Sequence, residues 1–372
     1  GVMPTPVVAY LTKKLGADAS VVISASHNTF EFNGVKYFSN KGMKIPDELE
    51  EEIEEILDSD KLSEMVAVSD KIGVAENATE YIEEYINFIK EIFKEDFKNL
   101  PKDFCVGIDV ANGATYNLAD KIYSTLGIPH KIINNNPNGI NINEACGSTH
   151  IEAIEELVRK ENLSLGIAYD GDGDRCLAVD EKGNLLDGDI IMAILAKYLK
   201  NKNSLKKDTV VATVMSNLGL NKFMEKEKIN FKQTKVGDRY VLEEMLKNGY
   251  NLGGEQSGHI ILLDYNPTGD GILTSLMLIK AILNEKKKAS EVKEIIKIYP
   301  QVLVNAKVSN EKKYSYEEDK EIKESINALE KEFSGNGRVL IRPSGTEPKV
   351  RVMLEGENQE YITERAEKIA KL

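Results

Sequence analysis

Short apolar runs alternate with amphipathic stretches along most of the chain, and this alternation predicts an α/β architecture. Val7 to Leu15 predicts a helix that stops at Gly16, a residue suited to a left-handed cap. Ala19 to Ile23 predicts a buried strand, and after the Asn33-Gly34 turn Val35 to Phe38 predicts a short strand carrying Lys36. Pro46-Asp47 opens an acidic helix with Leu49, Ile53, Ile56 and Leu57 on one face. Thr79 to Phe93 predicts a long connecting helix.

Between residues 104 and 179 the alternation is strand, helix, strand, helix, strand. The strands are Phe104 to Val110, Ile128 to Ile133 and Leu165 to Tyr169; the helices are Asn117 to Leu126 and Ile151 to Lys160. Such a βαβ series implies a mostly parallel sheet covered by helices. A third unit repeats the theme with helices Asp189 to Leu199, Leu218 to Lys226 and Tyr240 to Lys247 around strands Thr209 to Thr213 and Phe231 to Thr234. A long apolar helix follows Gly269-Asp270-Gly271, and the run Glu285 to Lys288 reads as a solvated linker. Strands at Gln301 to Val308, Gly337 to Ile341 and Val350 to Glu355, with a helix from Gln359, outline a last small α+β domain. The fold expected is therefore α/β: three consecutive mixed α/β domains with βαβ-type units, spanning 1–80, 81–180 and 181–297, then a C-terminal α+β domain at 298–372.

Composition narrows the partners more than the chemistry. With 41% hydrophobic and 29% charged residues the 372-residue chain has the make-up of a globular protein. A formal net charge of −13 argues against a nucleic-acid surface, although a local basic cluster can still hold a phosphorylated ligand. Cys105, Cys146 and Cys176 are widely spaced and form no metal-binding pair, which predicts reduced thiols and a cytoplasmic setting. No apolar run reaches the roughly 18 residues of a membrane span, and no signal-peptide pattern opens the chain, so no membrane partner is expected.

The candidate chemistry centres on Asp170-Gly171-Asp172-Gly173-Asp174-Arg175, a tight loop between the apolar runs Leu165 to Tyr169 and Cys176 to Val179. Three carboxylates so close repel unless a cation joins them, and hard oxygen ligands select Mg²⁺ or Ca²⁺ over zinc. A calcium EF-hand fits Asp170, Asp172, Asp174 and Glu181, but Arg175 stands where that loop needs glycine, and the flanks are strands rather than helices. An arginine beside the cation suits a phosphorylated ligand, because its planar fork pairs with phosphate oxygens. The loop reads as a Mg²⁺ site for phosphate chemistry. A polar cluster, Ser24-Ala25-Ser26-His27-Asn28, follows a predicted strand, where α/β folds place their chemistry. Taken singly, Ser26 also reads as a cap, Lys36 as a solvated lysine, His27 and His259 as hydrogen-bonded structural histidines, and Arg342-Pro343-Ser344-Gly345 as a turn.

Four loops taken together point further. Ser24 to Asn28, Asp170 to Arg175, Gly254-Glu255-Gln256-Ser257-Gly258-His259 and Arg342-Pro343-Ser344-Gly345-Thr346-Glu347-Pro348 occur in the order and wording that resemble the α-D-phosphohexomutases. The likeness runs the length of the chain. Within that family, Val236-Gly237-Asp238-Arg239-Tyr240-Val241 and the Gln256 loop are most similar to bacterial members that act on glucosamine phosphates; members that act on mannose or glucose phosphates are the near alternative. The family's pattern departs at Thr29 and Ile151, where proline is usual, and it carries a further stretch with a Gly-Thr-Asp-Gly-Ile-Arg-Gly motif ahead of Gly1. Domain 1 is accordingly expected to be N-terminally incomplete, and an inactive phosphosugar-binding fragment is the non-enzymatic alternative. A serine hydrolase is excluded, since neither Ser26 nor Ser257 lies in Gly-x-Ser-x-Gly.

The resemblance implies an intramolecular phosphotransferase with its active site in a central cleft. It assigns Ser26 as the phosphorylated serine, a choice over Ser24 that local chemistry does not make. Asp170, Asp172 and Asp174 would bind one Mg²⁺ per site, joined by an oxygen from phosphorylated Ser26. His27, Arg175 and Lys36 would act at the transferring group, Lys36 as general acid or base. Glu255 and Ser257 would hold sugar hydroxyls, with His259, Asp238 and Arg239 beside them. Arg342, Ser344, Gly345 and Thr346 would clasp the non-reacting phosphate, supported by Arg351. The implied partner is a small-molecule sugar phosphate, primed by a hexose or hexosamine bisphosphate; a homodimer is the assembly kept in view.

Overall fold

A computed structural model describes residues 1–59, 61–309, 311, 313–344 and 348–372. The chain divides into two compact units, one formed by Gly1–Met215 with Ile229–Ile295 and the other by Ser216–Lys228 with Ile296–Leu372.

The larger unit holds three sheets. In the five-stranded one, His130–Ile133, Val106–Asp109 and Leu165–Tyr169 run parallel, and Cys176–Asp180 and Leu185–Leu186 continue antiparallel. Every residue of Leu165–Tyr169 is buried, as a near-continuous apolar run requires when both faces are covered. The helix Glu152–Glu161 lies so close that a Cβ on Gly166 would come 2.7 Å from both Ile154 and Val158. Only glycine fits there. The four-stranded sheet orders Ile260–Leu262, Leu252–Gly254, Thr209–Thr213 and Asn230–Thr234, with only the first pairing antiparallel. Helices Gly188–Asn201 and Gly271–Glu285 pack beside it, most of their residues buried.

The third sheet corrects one expectation. Ala19–Ile23 pairs only with Val35–Ser39, and just Val22 and Phe38 turn inward, against Ala9 of the helix Thr5–Leu15. The strand was expected to be buried; with one covered face it alternates instead, leaving Val21 and Ile23 exposed. The acidic helix Asp47–Leu57 forms as expected, yet none of its residues is fully buried. The run Lys286–Lys288 stays inside the larger unit, where Lys286 takes the left-handed conformation that ends a helix. It is a helix cap rather than a link between units.

In the smaller unit Lys349–Gly356 is the central strand, antiparallel to both Gln301–Lys307 and Gly337–Pro343. Helices Lys320–Phe333 and Gln359–Ile369 enclose a core of Leu329, Val352, Leu354, Ile362, Ala366 and Ile369. The first of these helices is absent from the reading of the sequence, although Asp319 caps it through Glu321 N and Ile322 N. No helix among the described residues is long and apolar enough to cross a membrane.

Candidate active site

The aspartate loop joins Leu165–Tyr169 to Cys176–Asp180, the two strands expected to flank it. Their antiparallel pairing turns the chain within six residues and brings the carboxylates of Asp170, Asp172 and Asp174 within 4.8 Å of one another, all buried. Burial, then the charges of Asp174 and Asp172, pushes the Asp170 carboxyl well above the ordinary range. Burial also works against the Asp174 charge, but Lys36, His259 and Arg175 outweigh it and hold that carboxyl low. Asp172 Oδ1 and Asp174 Oδ1 are buried with no hydrogen-bond partner. Orphaned hard oxygens on clustered carboxylates are the donor set of a hard divalent cation, and these residues fit one.

Ser26 meets this loop directly, its Oγ donating to Asp170 Oδ2 at 2.8 Å. Its φ of 56° is left-handed, a strained conformation for serine. Two contacts hold the strain: Ser26 N donates to Ser24 Oγ at 2.9 Å, and Asn143 Nδ2 donates to Ser26 O at 2.9 Å and to Asn28 O at 2.7 Å. The geometry thus separates two serines that local sequence does not, with Ser24 bracing the loop and Ser26 facing the acids.

Lys36 lies on Val35–Ser39 and pairs with Asp172, and with Asp174 at 3.3 Å. Burial works against its ammonium, yet Asp174 and Asp172 prevail and raise its pKa above the usual lysine value. His27 is held neutral more strongly than a free histidine, by burial first and by Arg175 next. Arg175 itself reaches Asp174 Oδ1 at 4.0 Å, while its backbone N donates to Asp170 Oδ1 at 3.1 Å.

The third loop converges on the same centre. His259 is buried, its Nε2 standing 3.9 Å from Asp174 Oδ2 and 3.6 Å from Asp238 Oδ2. Asp238, which with Arg239 begins the helix Asp238–Asn248, accepts from Lys44 Nζ at 2.5 Å. Burial opposes the Asp238 charge, but His259 and Lys44 keep its carboxyl below the ordinary value. Glu255 Oε1 accepts from Gly237 N at 3.1 Å, and the buried Ser257 Oγ has no hydrogen-bond partner. Arg239 is engaged away from the acids: it donates to Ile45 O at 2.5 Å and pairs with Asp47 and Glu50. Lys36, Lys44, Asp238 and Arg239 line a cleft of about 320 Å³.

The last group of expected residues lies in the smaller unit. Arg342 and Arg351 are register partners on neighbouring strands. Ser344 N donates to Lys349 O at 2.9 Å, and Lys313 Nζ donates to Ser344 O at 2.9 Å. Gly345 and Thr346 lie outside the described residues.

Three contributors escaped the sequence reading. Thr5 donates through Oγ1 to Asp172 Oδ2 at 2.6 Å and through its backbone N to Asp172 O at 2.9 Å. Asn143 staples the serine loop, and Lys44 pairs with Asp238. The usable signals were faint: a Thr-Pro start to the first helix, and an asparagine among many in a segment that tolerates left-handed backbone.

Comparison with known proteins agrees across the chain. Family models described as phosphoglucomutase/phosphomannomutase match residues 1–64 (alpha/beta/alpha domain I), 83–183 (domain II), 187–299 (domain III) and 303–372 (C-terminal domain). The phosphoglucosamine mutase of Clostridium tetani is 54% identical over 372 residues, covering all of this chain and 82% of the relative. That of Ruminiclostridium cellulolyticum is 51% identical with the same coverage. Among solved structures, the Aspergillus fumigatus N-acetylphosphoglucosamine mutase in complex with GlcNAc-6P and magnesium superposes with a TM-score of 0.75 at 19% identity, over 99% of this chain and 91% of that one. A phosphoglucomutase/phosphomannomutase family protein from Burkholderia thailandensis gives 0.77 at 20% identity, over 99% and 82%. At those identities the structures attest the fold.

Proposed function

We propose, because the chain belongs to the phosphoglucomutase/phosphomannomutase family, that it interconverts glucosamine 6-phosphate and glucosamine 1-phosphate through a phosphoserine enzyme and a bisphosphorylated sugar. The observation that carries the mechanism is the Ser26 hydroxyl, held on strained backbone 2.8 Å from Asp170 in a triad of buried carboxylates. The choice of sugar follows the phosphoglucosamine mutases that this chain resembles over its full length. The division 1–80, 81–180, 181–297 and 298–372 remains our reading of the domains, and the four matched segments support it.

Phosphoryl transfer needs in-line positioning and neutralised charge more than covalent help from the protein. Asp170, Asp172 and Asp174 would hold Mg²⁺ with a phosphate oxygen on Ser26, and the cation would supply that neutralisation. The chain's own groups do the rest. Arg175 adds positive charge beside the triad. Lys36, paired with Asp172 and Asp174 beside the triad, is the candidate to give a proton as acid in one direction and to take it back as base in the other. Glu255 and Ser257 hold sugar hydroxyls, and Arg342, Ser344 and Arg351 hold the phosphate that is not reacting. A phosphoserine can transfer to either end of the sugar, so the bisphosphate must reorient before it returns a phosphate to Ser26. Recognition through hydroxyls accommodates both orientations. The three unpaired thiols support a reducing cytoplasmic setting.

The test is turnover of glucosamine 6-phosphate with Mg²⁺ and a trace of hexose bisphosphate, run beside glucose and mannose phosphates. Preferred turnover of the glucosamine compound is expected. Preference for either other sugar overturns the substrate assignment, and no turnover of any of them by folded protein overturns the enzymatic one.

A further inference from the structure

Glu255 and Ser257 stand on a turn between the strands Leu252–Gly254 and Ile260–Leu262. The turn is closed by its own backbone, with Glu255 N donating to His259 O at 2.9 Å and Gly258 N donating to Glu255 O at 3.0 Å. Between the two lies Gln256, whose side chain is engaged elsewhere. Its Nε2 donates to Asp187 Oδ2 at 3.1 Å, and the Gln256 backbone carbonyl accepts from Gly188 N at 2.9 Å.

Asp187 holds two elements at once. Its Oδ1 accepts from Ile190 N at 3.0 Å and so caps the helix Gly188–Asn201, while its Oδ2 holds Gln256. The next residue shows how close the contact is: a Cβ on Gly188 would lie 2.1 Å from Glu255 O and 2.9 Å from Gly258 N. Helix start and turn are therefore in backbone contact, with the Asp187–Gln256 hydrogen bond alongside. Burial pushes the Asp187 carboxyl above its ordinary value, against the hydrogen bonds from Ile190 and Gln256, which makes those two partners its main support.

We propose that Asp187 and Gln256 are positioning residues: their hydrogen bond fixes the turn to the helix Gly188–Asn201 and thereby sets the aim of Glu255 and Ser257. The inference rests on the reading of this turn as the sugar-hydroxyl contact. Hydroxyl contacts of this kind persist in ground and transition states alike, so a loosened turn raises KM and leaves kcat nearly untouched. Gln256 shapes the turn rather than choosing the sugar. Its loss therefore raises KM for glucosamine and glucose phosphates in parallel, whereas a residue that reads the amino group would change their ratio.

The experiment is a rescue. Gln256→Glu sets a second carboxylate against Asp187; KM for both sugar phosphates is expected to rise about tenfold, with kcat within about twofold. The phosphate taken up on priming, read by intact mass, should match that of the unsubstituted protein. Adding Asp187→Asn lets an amide donate to the new carboxylate while its oxygen still caps the helix, and KM should return to within about threefold of the original. A purely structural role would instead lower the melting temperature and leave KM alone. If Gln256→Glu does not fold, Gln256→Ala takes its place, with the same parallel rise in KM expected. An unchanged KM in the folded single variant, or a double variant no better than the single, overturns the inference. Glu255→Ala separates the two levels: if it too leaves KM unchanged, the reading of the turn as a substrate contact has failed; if it raises KM while the Gln256 variants do not, only the positioning role has.

Discussion

Arg342 and Arg351 face each other across adjacent antiparallel strands, two guanidiniums at directly opposed positions. Burial lowers the Arg342 pKa, and the charge of Arg351 lowers it further. Like charges directly opposite destabilise a sheet, so this arrangement costs the empty protein and rewards an anion. Replacing Arg342 by glutamine should leave the melting temperature of the ligand-free chain unchanged or slightly higher. The same variant should lose most of the thermal stabilisation given by sugar phosphate, and its KM should rise about 10- to 100-fold. A clear loss of ligand-free stability, with binding intact, would assign the pair to folding.

Ser26→Ala should abolish turnover, since no other hydroxyl among the described residues is seen to donate to the triad on strained backbone. Folding should survive or improve, because alanine removes a hydroxyl without leaving a large void. Circular dichroism and intact mass after exposure to hexose bisphosphate check both halves of this expectation. Persistent phosphate uptake together with activity would move the phosphorylation site off Ser26.

The sequence made the aspartate loop legible because its signal is local: three carboxylates in five residues between apolar runs leave few other readings. The strands Leu165–Tyr169 and Thr209–Thr213 were found at their full extent for a related reason, since burial on both faces leaves an uninterrupted apolar run. Ala19–Ile23 misled because its composition is apolar although one face is uncovered; pattern alone does not report what tertiary structure supplies. Thr5 and Asn143 were illegible for a different reason. Each acts on a residue more than a hundred positions away, Thr5 on Asp172 and Asn143 on Ser26, and no local period encodes such a contact. Arg239 lines the cleft beside Asp238 and pairs there with Asp47 and Glu50 at the start of an acidic helix, a long-range pairing that no local pattern encodes.

Asn143 is itself left-handed, at φ 56°, and buried, so its two hydrogen bonds to the serine loop come from a rigid base. Removing them through Asn143→Ala should cost about 1–3 kcal/mol of stability. Activity should fall further than that loss explains, with kcat reduced more than KM, because the strained Ser26 backbone loses its brace. Asn143→Asp is the sharper probe, as it removes the donor while keeping size. A kcat equal to the parent's in either variant would refute the bracing role.

A final prediction concerns the acidity of Asp270, whose neighbour Gly271 donates through its backbone N to Gly173 O in the aspartate loop at 3.0 Å. Asp270 is buried where it caps the helix Gly271–Glu285 through Leu273 N, and it also accepts from Tyr85 Oη at 2.8 Å and from Asn266 Nδ2 at 2.9 Å. Burial raises its carboxyl above the ordinary value of 3.8, against the hydrogen bonds from Asn266, Leu273 and Tyr85. The folded chain therefore binds this proton more tightly than the unfolded chain does. Stability falls as pH rises from the unfolded pKa to the folded one, and above the folded value the loss is complete and constant. Asp270→Asn removes the titration while its amide oxygen can still cap the helix. Its absolute stability can drop, since Asn266 also donates to Pro6 O and must turn to meet the new amide. The slope is the diagnostic. Urea midpoints taken from about pH 4 to pH 7.5 should decline more steeply for the parent than for the variant. Asp109 and Glu355 are raised in the same direction and contribute equally to both proteins, so the difference between the curves isolates Asp270. Parallel curves would mean that burial does not elevate this carboxyl, and that Tyr85 and Asn266 hold it fully ionised.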